Sequence, residues 1–216
     1  MPYQTAIFDL DGTLLDTLED LFRAVNTALA FHSFPRRTRD EIRSFVGDGV
    51  EMLVRRALPA GCDEETVSAT LADFKTTYSA ICRDHTRPYD GIIPLLSNLR
   101  EAGIRVAVVS NKFDAATKAL CAEYFGDLVE VAVGERAGVF KKPAPDTVFE
   151  AMSALGVTAE GAVYVGDSDV DIQTARNAAI PCISVTWGLR DEAVLQTSGA
   201  AVLAHTPAEL AVMILA

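Results

Sequence analysis

The sequence has no long apolar segment and no excess of basic residues. Its longest apolar stretches, such as 106–109, are far too short to cross a bilayer, and its first residues lack the basic stretch and apolar run of a signal peptide. The 216 residues include 19 Lys and Arg against 30 Asp and Glu, which gives a formal net charge of −11. Attraction to nucleic acid or to an anionic membrane is therefore not expected. Together these absences predict a soluble, cytoplasmic protein.

The sequence also lacks cysteine pairs with the spacing of metal ligands, internal repeats and low-complexity tracts. Each of the four cysteines lies in an apolar periodic segment, which predicts buried free thiols in a reducing compartment. A chain of this length buries roughly 70% of the surface that its unfolded form exposes. A core without disulfides or structural metal is therefore expected.

Residues 17–85 show the periodicity of helices and none of strands. Thr17 is an N-cap candidate with Asp20 three residues later, a weak capping box, and an apolar stripe follows at helical spacing. Further helices are predicted at 40–46, 49–58 and 64–83.

Strands and helices alternate in the rest of the chain. An apolar strand is predicted at 5–8; further strands are expected at 104–109, 128–133, 162–166, 182–186 and 201–203, with helices at 93–102, 114–125, 145–155, 170–179 and 209–215. Such alternation is typical of a parallel sheet covered on both faces. We therefore predict an α/β protein in which residues 1–15 and 86–216 form a Rossmann-like open parallel sheet core. An α-helical cap, residues 16–85, is inserted after the first strand.

Polar clusters follow several of the predicted strands. Asp9 and Asp11 follow the first strand, Ser110-Asn111-Lys112 the strand at 104–109, and Gly166-Asp167-Ser168 the strand at 162–166, while Lys142 precedes a helix. In open parallel sheets, ligands bind outside the carboxyl ends of the strands. We expect these clusters to converge on one edge of the sheet.

These motifs resemble those of the haloacid dehalogenase-type phosphatase superfamily, and within it the phosphoglycolate phosphatases. The matching segments are Asp9-Leu10-Asp11-Gly12-Thr13-Leu14, Val109-Ser110-Asn111-Lys112, Lys142-Pro143-Ala144-Pro145 and Gly166-Asp167-Ser168-Asp169-Val170-Asp171-Ile172. The resemblance covers residues 3–15 and 88–205 in order and is looser in the cap.

The resemblance implies hydrolysis of a phosphomonoester through an aspartyl-phosphate. Asp9 is the expected nucleophile, because a carboxylate can attack phosphorus in line and split one hard step into two. Asp11 is expected to protonate the leaving alkoxide and then to deprotonate water. Ser110 and the backbone amide of Asn111 are expected to hold the phosphoryl oxygens, and Lys142 to neutralise charge on the phosphoryl group and on Asp9.

The resemblance also implies a Mg²⁺ cofactor. Two clustered carboxylates would repel a dianionic phosphate, and oxygen ligands of this kind favour Mg²⁺. The expected metal ligands are Asp9, the backbone carbonyl of Asp11, and Asp167. Asp171 is expected to orient Lys142 or a water on the metal, and Gly12 to let the backbone approach the phosphate closely.

Several other charged residues are expected to have no catalytic role. Lys112 is interpreted as a surface charge at a helix entry, and Lys141 and Asp169 as exposed. In the cap, Arg55 or Arg56 is a candidate for bidentate binding of a substrate carboxylate. A basic helix face turned to water explains these two arginines equally well.

The residues also separate the reactions of the superfamily. Dehalogenases lack the second aspartate, so the presence of Asp11 favours phosphoryl transfer. Phosphomutases carry a His early in the first cap helix, whereas His32 comes at the end of that helix, which favours hydrolysis. Phosphonate-cleaving relatives need a Lys in the cap, and residues 14–74 contain none. The leading expectation is a phosphoglycolate phosphatase acting on a small phosphorylated metabolite as a monomer or homodimer. The alternatives are a pyrophosphatase, a broad sugar-phosphate or nucleotide phosphatase, a sugar phosphomutase, and a non-catalytic phosphate-binding regulator.

Overall fold

The structure is a computed structural model that describes residues 3–216. The chain forms two compact units: one contains the residues up to Leu15 together with Pro88–Ala216, and the other contains Asp16–Arg87. We call them the core unit and the cap unit and describe each by itself.

The core unit contains most of the strands. Its strands are β1 (Thr5–Phe8), β4 (Arg105–Phe113), β5 (Val131–Glu135), β6 (Ala162–Gly166), β7 (Cys182–Val185) and β8 (Leu203–Ala204). Its α-helices are α5 (Ile92–Glu101), α6 (Asp114–Tyr124), α7 (Asp146–Leu155), α8 (Asp169–Asn177), α9 (Glu192–Thr197) and α10 (Pro207–Leu215). Two short strands, β2 (Leu15–Asp16) and β3 (Arg87–Pro88), pair with each other where the chain passes from one unit to the other.

The six core strands form one sheet in the order β5-β4-β1-β6-β7-β8, and every registered pair is parallel. In the centre, Ala6 of β1 lies opposite Val106 of β4 and Val163 of β6. All four residues of β1 are buried, as expected for an apolar strand covered on both faces. The predicted α/β class is therefore confirmed.

Alternate residues of the central strands point into two separate apolar clusters. One cluster joins Phe8 and Val108 to side chains of α5, α6 and α10, and the other joins Ile7 and Val109 to side chains of α7 and α8. The sheet is thus sandwiched between two helical layers, which leaves its carboxyl edge as the place for polar side chains.

The cap unit is helical. Its helices are α1 (Leu18–Phe31), α2 (Arg39–Phe45), α3 (Val50–Ala57) and α4 (Glu64–Ile81). Thr38 and Glu41 form a complete capping box at α2, and Asp63 caps α4 by accepting from the backbone N–H of Thr66. The apolar side chains Val67, Phe74 and Tyr78 of α4 are buried.

Some local expectations were wrong. Thr17 occupies the N-cap position of α1, but its φ of −109° and ψ of 0° differ from the extended conformation of a capping residue, and its side chain makes no capping bond. Asp20 accepts hydrogen bonds from the backbone of His85 and from the backbone and hydroxyl of Thr86, so the predicted capping box is absent. The four cysteines are free, but only Cys121 is fully buried. Among residues 3–216, no helix combines the length and apolar character that crossing a membrane requires.

Candidate active site

The site lies at the carboxyl edge of the sheet, where β1 and β6 are neighbours. The chain leaves β1 toward β4 and leaves β6 toward β7, so the two connections run in opposite directions. A crevice opens at such a point, and ligands of open α/β sheets bind there. Asp9 continues β1 by one residue, since its N–H donates to Val165 O at 2.8 Å, and Asp167 directly follows β6.

A buried lysine joins two of the site's carboxylates. Lys142 Nζ lies 2.8 Å from Asp9 Oδ1 and 2.8 Å from Asp171 Oδ1. It also donates to the Tyr164 hydroxyl at 3.0 Å, and that hydroxyl donates to Asp171 Oδ1 at 3.1 Å. The lysine is 3% exposed and Asp9 is 8% exposed, so this ion pair is poorly screened by water.

Burial and charge together set the protonation of these groups. Burial raises the pKa of Asp9 well above its usual range, although the Lys142 ammonium partly offsets this effect. Burial alone would lower the pKa of Lys142, but the Asp171 and Asp9 carboxylates raise it well above its ordinary value. The raised pKa favours the ammonium form of Lys142, which faces the candidate nucleophile.

Asp167 is held by the turn after β1 and by the loop after β7. The Thr13 hydroxyl donates to its Oδ1 at 2.8 Å, and the Leu189 N–H donates to its Oδ2 at 2.7 Å. Trp187, in the loop after β7, donates its indole N–H to Thr13 O at 3.0 Å and so fixes the same turn. Burial, with the charge of Asp171, raises the pKa of Asp167 to about 7.

Two glycines make this close packing possible. A Cβ on Gly12, which has φ +89°, would lie 2.4 Å from Asp167 Oδ2, and a Cβ on Gly188 would lie 2.3 Å from Asp167 Cβ. Gly12 thus lets the turn after β1 approach the carboxylate, and its expected role in letting the backbone approach the phosphate stays a prediction.

The donor set fits a divalent cation. Ligand oxygens of Asp9, Asp167 and Asp171 lie within 4.8 Å of one another, and all three residues are buried. The Lys142 ammonium contacts Asp9 and Asp171, so the three carboxylates outnumber this one cation. Burial first, and the charge of neighbouring carboxylates after it, raise the pKa of both Asp9 and Asp167. Carboxylate oxygens arranged in this way suit Mg²⁺.

Asp171 is occupied on both of its oxygens. Its Oδ1 accepts from Lys142 and Tyr164, and its Oδ2 accepts from the backbone and hydroxyl of Ser168, with which it forms the capping box of α8. Asp171 thus contacts the lysine, and its expected role in orienting that lysine stays a prediction. With both oxygens occupied, Asp171 has less capacity for a cation than Asp9.

The end of β4 supplies the next part of the site. Ser110 is 3% exposed. The side-chain amide of Asn111 donates to Lys142 O at 3.0 Å and accepts from Lys142 N at 2.9 Å, so it holds the backbone of the lysine at both polar groups. The resemblance gave Asn111 a role through its backbone amide alone; this side-chain clamp was not predicted.

Lys112 is not the surface charge that the sequence predicted. It is 3% exposed, and its Nζ lies 2.8 and 3.0 Å from the two carboxylate oxygens of Asp11. The reason is that β4 continues to Phe113 instead of ending at Val109, so Lys112 belongs to the strand end and not to the helix entry. Asp169 is exposed and Lys141 partly exposed, with ion pairs to Arg190 and Glu135.

Both cap arginines have partners within the cap unit. Arg55 donates to both oxygens of Glu64, at 2.8 and 2.6 Å, and to Glu51 at 2.9 Å. Arg56 donates to Phe45 O at 2.9 Å and to Asp48. A substrate carboxylate would have to replace one of these partners, and binding by either arginine remains a prediction.

Sequence reasoning missed two further polar residues of the site. Tyr164 was treated only as a strand residue, although its hydroxyl is the one polar side-chain group in the apolar run of β6. Thr13 was quoted only as part of a motif. Its contact with Asp167 depends on the fold, because the two residues are 154 positions apart.

Comparisons with known proteins identify the family of this chain. A family model for haloacid dehalogenase-like hydrolase matches residues 6–185. The phosphoglycolate phosphatase of Caulobacter vibrioides is 35% identical over 206 residues, with 94% of this chain and 86% of the relative covered; that of Mesorhizobium japonicum is 34% identical over 204 residues, with 92% and 89% covered.

A solved structure gives the same result. A protein from Lactobacillus delbrueckii subsp. bulgaricus, described as a candidate phosphoglycolate phosphatase, superposes with a TM-score of 0.94 at 37% identity. The superposition covers 100% of this chain and 99% of that one. With the family model spanning most of both units, the chain belongs to the haloacid dehalogenase-like hydrolase family.

Proposed function

We propose that this protein is a Mg²⁺-dependent phosphatase that hydrolyses a small phosphomonoester, with 2-phosphoglycolate as the preferred substrate. One observation carries the proposal: the buried ion pair of Asp9 and Lys142 lies at the sheet edge within the same cluster as Asp167. The residues to which we assign the roles of nucleophile, cation for the phosphoryl group and metal ligand therefore lie close together. The relatives named above, which are phosphoglycolate phosphatases, support the substrate.

The first chemical step transfers the phosphoryl group to the protein. Asp9 attacks phosphorus in line, the new bond forms between its oxygen and phosphorus, and the ester P–O bond breaks. The electron pair of that bond goes to the leaving alkoxide, which takes a proton from Asp11. Lys142 stabilises the charge that gathers on the phosphoryl oxygens, and Ser110 with the Asn111 N–H donates hydrogen bonds to them.

The second step returns the protein to its starting state. A water attacks the phosphorus of the aspartyl-phosphate, and its proton passes to Asp11, which regains what it lost in the first step. The bond between phosphorus and Asp9 breaks, and the electron pair returns to the carboxylate. Inorganic phosphate leaves, and every proton is accounted for.

Asp9, Asp167 and the backbone carbonyl of Asp11 are the residues that would hold Mg²⁺. When bound, the ion neutralises charge between the carboxylates and the phosphate and acts as a Lewis acid on a phosphoryl oxygen. Asp171 keeps Lys142 aimed at Asp9 through its own bond to the ammonium. We assign the metal to Asp9 and not to Asp171 because both Asp171 oxygens already accept hydrogen bonds, whereas those of Asp9 are less occupied.

The test measures phosphate release from 2-phosphoglycolate, pyrophosphate, a nucleoside monophosphate and a sugar phosphate, each with Mg²⁺ and with EDTA. Release that needs Mg²⁺ and favours 2-phosphoglycolate in kcat/KM supports both the chemistry and the substrate. Equal release across the panel would retain the chemistry and reject the substrate. Absence of release from all four would overturn the proposal, and product analysis with an added sugar bisphosphate would then test for a phosphomutase.

A further inference from the structure

We propose that Lys112 is a positioning residue that holds Asp11 for proton transfer. This inference rests on the proposed function, because it assigns a residue that acts through the expected acid–base group. The motifs gave Lys112 no role, and the sequence placed it on the surface. The structure instead brings its ammonium to both oxygens of the Asp11 carboxylate, at 2.8 and 3.0 Å.

The distribution of lysines supports this role. The sequence has five lysines, at 75, 112, 118, 141 and 142. In the described part of the chain, Lys112 and Lys142 are the two that are buried. Each contacts one carboxylate of the Asp9–Asp11 pair: Lys142 contacts Asp9, and Lys112 contacts Asp11. Both carboxylates of the motif are therefore fixed by a buried cation from a different segment of the chain.

Energetics argue against a purely stabilising ion pair. The Lys112 side chain is 1% exposed and that of Asp11 is 14% exposed, so the lysine has lost nearly all of its hydration. A buried pair of this kind contributes little net stability, since replacing both partners by apolar groups is often neutral or stabilising. Orientation of the carboxylate is what the pair provides, because both of its oxygens are held at once.

The backbone places Lys112 for this contact. The register between β4 and β5 shifts between Val109 and Phe113, and within that segment the Lys112 N–H donates to Ser110 Oγ at 3.2 Å. The Lys112 carbonyl accepts from the Thr117 hydroxyl at 3.3 Å. The strand end that carries Ser110 toward the phosphoryl site therefore also fixes the base of the lysine side chain.

The primary test is Lys112→Met, with Lys118→Met as the matched control. Lys118 makes the same kind of contact, 2.7 Å from Asp114, but it is exposed. We expect Lys112→Met to lower kcat for 2-phosphoglycolate by roughly 10- to 100-fold with KM changed by less than about threefold, because a misplaced acid–base group slows chemistry and leaves ground-state binding intact. Lys118→Met should match the wild type in both constants.

Two further readouts distinguish positioning from general damage. An aryl phosphate has a better leaving group and depends less on a proton donor, so the loss in kcat should be smaller with it than with 2-phosphoglycolate. In the Asp11→Asn background, Lys112→Met should lower kcat by less than about a further twofold, since both changes disable the same unit.

The outcomes are distinct. Full kcat in Lys112→Met, an equal loss with both leaving groups, or additive losses in the double variant would each overturn the inference while the wild-type enzyme remained active. An inactive wild-type protein would overturn the inference and the proposed function together. If Lys112→Met does not fold, as judged by its melting curve, Lys112→Gln replaces it, because the shorter, neutral amide lacks both the charge and the reach to hold the two Asp11 oxygens at once. A wild-type kcat in that variant would also overturn the inference.

Discussion

Asp9 and Lys142 form a 2.8 Å ion pair between two buried side chains that come from distant segments of the core unit. Two further side chains fix the position of the Lys142 ammonium, because Asp171 and Tyr164 also bind it. The Asn111 side chain fixes the backbone on which the lysine stands. The charge that we propose for binding the phosphoryl group is therefore fixed in place before substrate binds, which is the condition for strong electrostatic stabilisation of a transition state.

The first prediction concerns this ammonium. Lys142→Met should lower kcat by roughly 10² to 10³-fold, because it removes a preorganised charge at the reacting group. The neighbouring Lys141→Met is the control, since Lys141 is partly exposed and lies 3.8 Å from Glu135. Steady-state phosphate release from both variants checks the prediction. Equal losses in the two variants would show that the assignment to Lys142 is wrong.

The second prediction concerns the nucleophile. Asp9→Asn should abolish turnover, because an amide oxygen does not form the acyl-phosphate. Its melting temperature should stay within about 4 °C of the wild type, since the change removes one of three clustered carboxylates and leaves Lys142 its bond to Asp171. Phosphate release and a thermal unfolding curve test both parts. Substantial activity in a folded variant would move the nucleophile to another residue.

Sequence periodicity was enough to predict the order of the core elements, because apolar strands alternate with amphipathic helices. It failed for Lys112. A lysine after a strand is typically solvated, and its burial depends on Asp11, which reaches it only because β1 and β4 are adjacent in the sheet. The two-residue strands β2 and β3 and the short helix α9 were also missed, since such brief elements carry little periodic signal.

The cap arginines illustrate a different limit. Glu51 and Arg55 form an ion pair between positions i and i+4 of α3, a contact that is common in helices. The second partner, Glu64, lies on the next helix, so only tertiary structure brings it to the same guanidinium. Sequence alone identifies an arginine as a candidate ligand for a carboxylate, whereas the fold determines which carboxylates of the protein already bind it.

The third prediction uses a glycine. Gly12→Ala places a Cβ 2.4 Å from Asp167 Oδ2, so the carboxylate must move. We expect the Mg²⁺ concentration for half-maximal activity to rise by roughly 10-fold or more, in keeping with the effect of disturbing groups that orient a metal ligand. Gly61→Ala is the matched control, because its φ of +87° is nearly the same and nothing lies within 4 Å of the added atom.

A Mg²⁺ titration of activity separates backbone strain from the clash. In both variants an alanine must adopt a positive φ, which is strained for a residue with a Cβ, so both should melt at a lower temperature than the wild type. Only Gly12→Ala should shift the metal dependence. Equal shifts in the two variants would mean that the approach of Gly12 to Asp167 does not shape the cation site.

The last prediction concerns pH. In the metal-free protein, burial raises the pKa of Asp167 from 3.8 to about 7. Between these values the folded state keeps a proton that the unfolded state has lost, so this group lowers the free energy of unfolding progressively as pH rises from about 4 to 7. In EDTA, the difference in unfolding free energy between the wild type and Asp167→Asn should therefore fall over that range, because the amide does not titrate.

Adding Mg²⁺ at pH 7.5 should raise the wild-type melting temperature more than that of the variant, since the cation binds the ionised folded state. Denaturant unfolding at several pH values measures the first effect and thermal unfolding the second, and a pH-independent difference between the two proteins would show that Asp167 is ionised in the fold without a cation.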